Sequence, residues 1–183
     1  MYTLANKNDL IKDYQAGVRN FQYTILTAVN LARVNFNEIN LDHSNLIEID
    51  WSSCNLNQAS LRKAYLGLSN FQSSCLKLVD FQETDFHGSN LQQANLEDTN
   101  LRGANLHQVN LKGANLIRAK LDGACLTGAT YDHHTIFNDN FNPQAAGMIS
   151  YESQQLNQQS LPQLNSTLRT VKQMKILSWC RIN

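Results

Sequence analysis

From Phe21 to Phe141 an apolar residue occupies every fifth position: Phe21, Leu26, Leu31, Phe36, Leu41, Leu46, Trp51 and onward. Sixteen of those 25 positions are Leu and six are Phe, with Trp51, Tyr131 and Ile136 completing the set. Call this position i. At i−2, from Thr24 to Asp139, 20 of 24 residues are Ala, Ser, Thr, Val or Cys; at i−1, Asn fills 14 of 25 positions and Asp another 3. A helix places apolar residues at a period of about 3.6 and a strand at about 2. Five fits neither, so the chain must run briefly extended, turn and start again. Residues i and i−2 then share one face, the inner one, while the intervening Asn points outward and can bond nearby backbone. A repeat of this length fixes architecture ahead of local propensity.

Charge sets the number of blocks in one lap. If n blocks close a lap, residues 5n apart stack at about 4.8 Å, and like charges should avoid one another. Within residues 20–141, a separation of 20 gives six opposite pairs and no like pair: Asp42–Arg62, Lys63–Glu83, Lys77–Glu97, Asp98–Arg118, Arg102–Asp122 and Lys112–Asp132. A separation of 15 gives three opposite and two like pairs, and 25 gives one opposite and two like. Four blocks per lap is the reading that survives. Exposed ion pairs stabilise weakly, so the pattern reports register rather than strength. The expected object is a four-sided parallel β-solenoid of about six laps with an inward column of Leu and Phe.

Blocks such as Ala104-Asn105-Leu106 and Ala114-Asn115-Leu116 resemble the A(D/N)LXX pattern of the pentapeptide-repeat family. The resemblance covers about two-thirds of the chain. It implies an all-β fold, a right-handed quadrilateral parallel β-helix with helical caps at both ends. The run Asp9-Leu10-Ile11 … Tyr14-Gln15-Ala16-Gly17 and the segment Phe141-Asn142-Pro143 … Ala145-Ala146-Gly147-Met148 are similar to the leader and trailer of cyanobacterial members.

Domain organisation follows from composition. Residues 1–19 read as an N-terminal capping helix, with Asn8 or Asn6 as its cap, Leu10, Ile11 and Tyr14 as its apolar face and Gly17 at its end. Residues 20–141 are the repeat. Residues 142–148 read as a short C-terminal capping helix, with Pro143 in the first turn. The Gln-, Ser- and Asn-rich stretch 149–163 reads as a polar linker, and 164–183 as a basic amphipathic tail helix on the spacing of Leu164, Leu168, Val171, Met174 and Leu177. From Asn142 onward the charge is +3, against −4 for the repeat, so the tail is expected to pack on a wall, with Arg169, Lys172 and Lys175 as candidate binding residues.

Chemistry is hard to place on such a chain. No phosphate-cradling Gly motif, CxxC pair or long uncharged apolar stretch occurs, and no secretory leader is visible. Cys54, Cys75, Cys125 and Cys180 read as reduced thiols of a cytoplasmic protein. His87 and His107 stack in register, but their column (Ile47, Gly67, His87, His107, Thr127) holds no further ligand, so a polar ladder is preferred to a metal site. His133-His134 reads as a turn, and Asp80, Glu83, Asp85 and Glu97-Asp98 as solvated charge ladders. Outward Ile47, Leu68, Leu78 and Ile117 read as isolated. The expectation is a non-enzyme without cofactor or metal that binds a protein partner, binds no nucleic acid, and leaves monomer or dimer open. One branch of the family mimics DNA and binds DNA gyrase; that alternative needs a strongly negative surface, which a charge of −4 with interleaved Lys and Arg does not supply. Regulation of cyanobacterial differentiation or stress is a further role that the resemblance admits.

Overall fold

The computed structural model describes residues 6–159. Its elements are α1 (Lys7–Gln15), β1 (Thr130–Tyr131), β2 (Ile149–Ser150) and α2 (Tyr151–Gln159). Between α1 and β1 the chain forms a parallel ladder of single bridges, Asn20↔Asn40, Ile25↔Asn45, Asn30↔Asp50, Asn35↔Asn55 and so on to Asn110↔Thr130. Each joins residues 20 apart, so four blocks make one lap of a parallel β-helix, as the charge register predicts. Every bridging residue is an i−1 residue, and each block holds its neighbour in the next lap the same way. Leu61 N–H donates to Asp80 O at 2.9 Å, Lys63 N–H to Gln82 O at 2.9 Å, and Asp80 N–H returns to Ala59 O at 3.0 Å.

The inside is the i and i−2 set. Leu41, Leu61, Phe81 and Leu101 are all fully buried in one column, as are Trp51, Phe71 and Leu91 in another. The Ser, Thr and Cys residues at i−2 are buried polar groups and must be satisfied. They donate to carbonyls of the previous lap, as in Thr84 Oγ1 to Leu61 O (2.6 Å) and Ser89 Oγ to Leu66 O (2.7 Å), or to their own turn, as in Thr99 Oγ1 to Leu96 O (2.7 Å). Asn at i−1 has a second duty. Its Oδ1 accepts the N–H two residues on, as in Asn40 from Asp42 (3.0 Å) and Asn55 from Asn57 (3.0 Å), and its amide bonds the ladder residue one lap before or after. Asn30 and Asn70 both donate to Asp50, Asn90 donates to Asn70, and Asn110 to Asn90.

Position i+2 carries the turn. Seventeen non-glycine residues, from Tyr23 to Arg118, adopt φ between 54° and 64°, and Gly88, Gly103, Gly113, Gly123 and Gly128 fill five further sites of the same kind. Turns such as Ala64 N–H to Leu61 O (3.2 Å) close around them, with the left-handed residue third in the turn. The left-handed region costs an L-residue roughly 1–2 kcal/mol, and Asn tolerates it better than Leu. Leu78 sits there at φ 62° with half its surface exposed. Replacing Leu78 with Asn should therefore raise stability, by up to about 1 kcal/mol in urea unfolding; a loss would show that the aliphatic side chain packs more than its exposure implies.

The five-residue register does not run unbroken to Phe141. Asn115 bridges Ile136, a separation of 21, and Ile136 is 48% exposed. Ile136 is thus an i−1 residue, and Phe137, which packs on the core, takes position i. Thr135 supplies the small i−2 hydroxyl, donating to Leu111 O at 3.0 Å. The extra residue lies in the turn Asp132–Thr135, which explains why His134 and Asp139 fail the small-residue pattern. Beyond it, Asn138 stands in for backbone: its side-chain oxygen accepts from Arg118 N–H and its amide donates to Ala119 O.

At the other end α1 lies against the first laps. Asn6 is its N-cap, accepting from Asn8 and Asp9 N–H. Leu10 is fully buried, Tyr14 contacts the Phe36 ring edge-on at 5.1 Å, and its hydroxyl donates to Asn37 O at 2.9 Å. Residues 142–148, expected as a capping helix, instead form one turn, with Ala146 N–H on Asn142 O, Asn142 Oδ1 capping Ala145 N–H, and Gly147 at φ 78°. One turn is too short to nucleate a helix. The stretch read as a linker begins with β2, paired in parallel with β1 (Thr130↔Ile149), and continues into α2, where Gln is an adequate helix former. The chain divides into two units, Met1–Tyr151 and Glu152–Asn183. The first holds the ladder, and the described part of the second is the remainder of α2.

Candidate functional site

Four of the six charge pairs expected from spacing form: Lys63–Glu83 at 3.4 Å, Lys77–Glu97 at 3.3 Å, Arg102–Asp122 at 3.0 Å and Arg118–Asp98 at 2.6 Å. Arg118 also bonds Glu97, so one guanidinium bridges two carboxylates. The Arg118–Asp98 bond holds the Asp98 carboxyl below its usual range, and the two bonds together push Arg118 higher, Asp98 contributing more than Glu97. The other two pairs are redirected. Asp42 accepts Arg62 backbone N–H (2.9 Å) and the Ser60 hydroxyl (2.6 Å), leaving the guanidinium to reach Asp80 at 3.8 Å. Lys112 places its ammonium 4.5 Å over the Tyr151 ring, and Asp132 accepts instead from Gly113 N–H at 2.9 Å. The acidic residues Asp80, Glu83, Glu97 and Asp98 are thus engaged with cations on the outer walls.

Asp132 holds the inserted turn together. Burial alone would raise its pKa, but N–H groups of Gly113 and His134 and the Thr135 hydroxyl outweigh that and hold it below the usual value. A carboxyl depressed in the folded state stabilises above its unfolded pKa of about 3.9 and loses that contribution as pH falls through the folded value. Stability should therefore drop below about pH 4, and Asp132→Asn should flatten that acid limb while lowering stability at pH 7. Urea midpoints measured from pH 7 to pH 2 would test this; an unchanged acid limb would mean that Asp132 is not a source of it.

His87 and His107 stack with ring centroids 5.3 Å apart and planes 9° from parallel, and His133 and His134 sit 3.8 Å apart in the inserted turn. No group of three or more His, Cys, Asp and Glu suited to a metal occurs among the described residues. Cys54 is buried and donates to Leu31 O at 2.8 Å, and burial pushes its thiol up to about 11. Cys75 and Cys125 are exposed unpaired thiols. Arg169, Lys172, Lys175 and Cys180 lie outside the described residues. No helix among the described residues is long and apolar enough to cross a membrane.

Two surface features escape the sequence reading. An open depression of about 450 Å³ lies where the register slips, lined by Ile117, Arg118, Ile136, Phe137 and Asn138 to Asn140. Leu68, read as isolated, shares a wall with the exposed Tyr65 and Ile25. Tyr65 and Ile25 stand at i−1, where the repeat otherwise favours Asn, and taking the outward apolar residues singly hides the grouping.

A family profile for pentapeptide repeats matches the chain in eight copies, over residues 35–72, 52–88, 80–116 and 94–130. Among solved structures the chain is similar to HetL, a pentapeptide repeat protein involved in heterocyst differentiation regulation from Nostoc sp. strain PCC 7120, with 22% identity, 80% of this chain and 78% of that chain covered, and a TM-score of 0.38. It is also similar to Rfr23 from Cyanothece 51142 (28% identity, 72% and 98% covered, TM-score 0.36) and to alr5209 from Nostoc PCC 7120 (32% identity, 79% and 95% covered, TM-score 0.23). Among curated proteins no match is found.

Proposed function

The chain belongs to the pentapeptide-repeat family, and from that membership we propose that it is a non-enzymatic, cytoplasmic scaffold for protein–protein interaction. Its solenoid on this reading is right-handed, with α1 and the segment after Phe141 serving as end plugs. What supports the reading is the ladder itself. A bridge every five residues fixes the spacing of outward side chains over long walls, while the inside of each lap is filled by Leu, Phe and Trp51. Rigid walls of mixed polarity suit recognition of another folded surface. Arg169, Lys172 and Lys175 add a cationic contact to the same partner.

Capture from lysate on the immobilised chain tests this. Saturable retention of a partner, lost when the ladder is unfolded and weakened by the triple alanine variant of those three residues, is expected. Retention no better than bare resin would sink the proposal. In the same preparation DNA gyrase supercoiling should proceed at its uninhibited rate, because a repeat of charge −4 with interleaved cations is a poor imitation of DNA.

A further inference from the structure

Seven of the eight glycines adopt positive φ, where an L side chain is strained; Gly67 does not. A Cβ at Gly67 would meet only the His87 carbonyl oxygen, at an ordinary 3.5 Å. Ile47 holds the equivalent position one lap earlier, so the backbone accepts a large residue there. Neither conformation nor packing calls for glycine at this site, yet it removes one side chain from an outward column.

The column reads Thr27, Ile47, Gly67, His87, His107, Thr127. Omitting one rung leaves Ile47 and His87 about 10 Å apart, two ladder spacings, with glycine as the floor between them. The parallel His87–His107 stack shows that flat groups lie face to face along this column. Tyr65 and Leu68, 55% and 60% exposed, flank the notch. Charge then narrows the occupant. The outward residues of this wall, at i−1, i+1 and i+2 around Leu26, Leu46, Leu66, Phe86, Leu106 and Leu126, include Glu48 and Asp85 but no Lys or Arg. Neither carboxylate pairs with a Lys or Arg among the described residues, and Lys63 around the corner is held by Glu83.

We propose that the notch over Gly67 receives an arginine side chain of a partner protein, its guanidinium plane on the His87 imidazole, its stem against Tyr65 and Leu68, and its N–H groups toward Glu48 and Asp85. Arginine matches both halves of the site, a flat face for stacking and a cation for two carboxylates that no Lys or Arg among the described residues neutralises, Asp85 already accepting from His87 N–H and the Asn105 amide through Oδ1. Lysine lacks the plane and an aromatic side chain lacks the charge. This rests on the scaffold reading and names the chemistry of its partner.

The test titrates the isotope-labelled full chain with acetyl-Gly-Arg-Gly-amide and with its Lys and Phe counterparts, following backbone amide signals. Signals of Gly67, Leu68 and His87 should move with the Arg peptide and at least about fivefold less with the Lys peptide, a factor equivalent to about 1 kcal/mol. Gly67→Ile, checked for an unchanged unfolding midpoint, should abolish the response, and Glu48→Gln should weaken it. Equal response to Lys, a stronger response to Phe, or undiminished binding by Gly67→Ile would each overturn the notch. Lysate capture separates the two readings: capture that survives Gly67→Ile overturns the notch and leaves the scaffold, whereas absence of capture by the parent chain sinks the scaffold.

Discussion

Trp51→Ala should destabilise the chain by about 3–5 kcal/mol, the range for truncating a large buried aromatic residue. Trp51 has no exposed surface. It stacks on Phe71 at 6.0 Å with planes 9° apart and meets Phe36 edge-on at 5.9 Å. Its neighbours above and below are fixed by bridges on every wall, so they cannot collapse into the space left behind. The cavity therefore stays open and adds to the lost burial. A contrasting variant isolates the cause. Trp51 Nε1 is buried without a hydrogen-bond partner, so Trp51→Phe removes an unsatisfied donor while keeping most of the ring. That variant should lie within about 1.5 kcal/mol of the parent. Urea unfolding followed by circular dichroism would measure both; equal losses for Ala and Phe would show that a single ring does not fill the site and that the whole indole is needed there.

Leu10→Ala should cost about 2–5 kcal/mol despite lying in a nine-residue helix. The helix is too short to persist alone, so docking must hold it. Leu10 is its one fully buried residue, and Ile11, Tyr14 and Val18 pack beside it against the core. Loosening it exposes the ends of the Phe21 and Phe36 columns to water. Loss should be local first. Amide exchange should accelerate at Phe21 and Tyr23, which donate to Asn40 O and Asp42 O, and stay slow at Leu101. Uniform acceleration along the chain would mean that the first laps have no separate stability.

Much of this architecture is written in the sequence. The period of five and the separation of 20 between opposite charges specify the lap before any coordinate is known. Bridges such as Asp80↔Asn100 occur where that arithmetic places them. The left-handed residues are harder to see. Position i+2 holds Glu38, Lys63, Leu78 and Arg118 as readily as glycine, because the stacked hydrogen bonds impose the turn whatever the side chain prefers. The slip at Asp132–Thr135 hides for another reason: Ile136 and Phe137 are adjacent and both apolar, so either satisfies the pattern on paper. The Asn115↔Ile136 bridge, the exposure of Ile136 and the Thr135 hydroxyl on Leu111 O show which side faces in. The notch at Gly67 is legible only in retrospect, since a glycine in a turn-rich repeat invites a conformational explanation that its backbone does not need.

The inter-lap hydrogen bonds set how the molecule answers to force. They run along the ladder, four blocks to each lap, so tension between its first and last laps loads one rung at a time instead of shearing a whole sheet. Each rung that gives way releases 20 residues at once, or about 65 Å of new contour length. A pulled chain should lengthen in equal increments of that size, like a spring unwinding by whole turns, with the shortest-lived rung deciding where the unravelling begins.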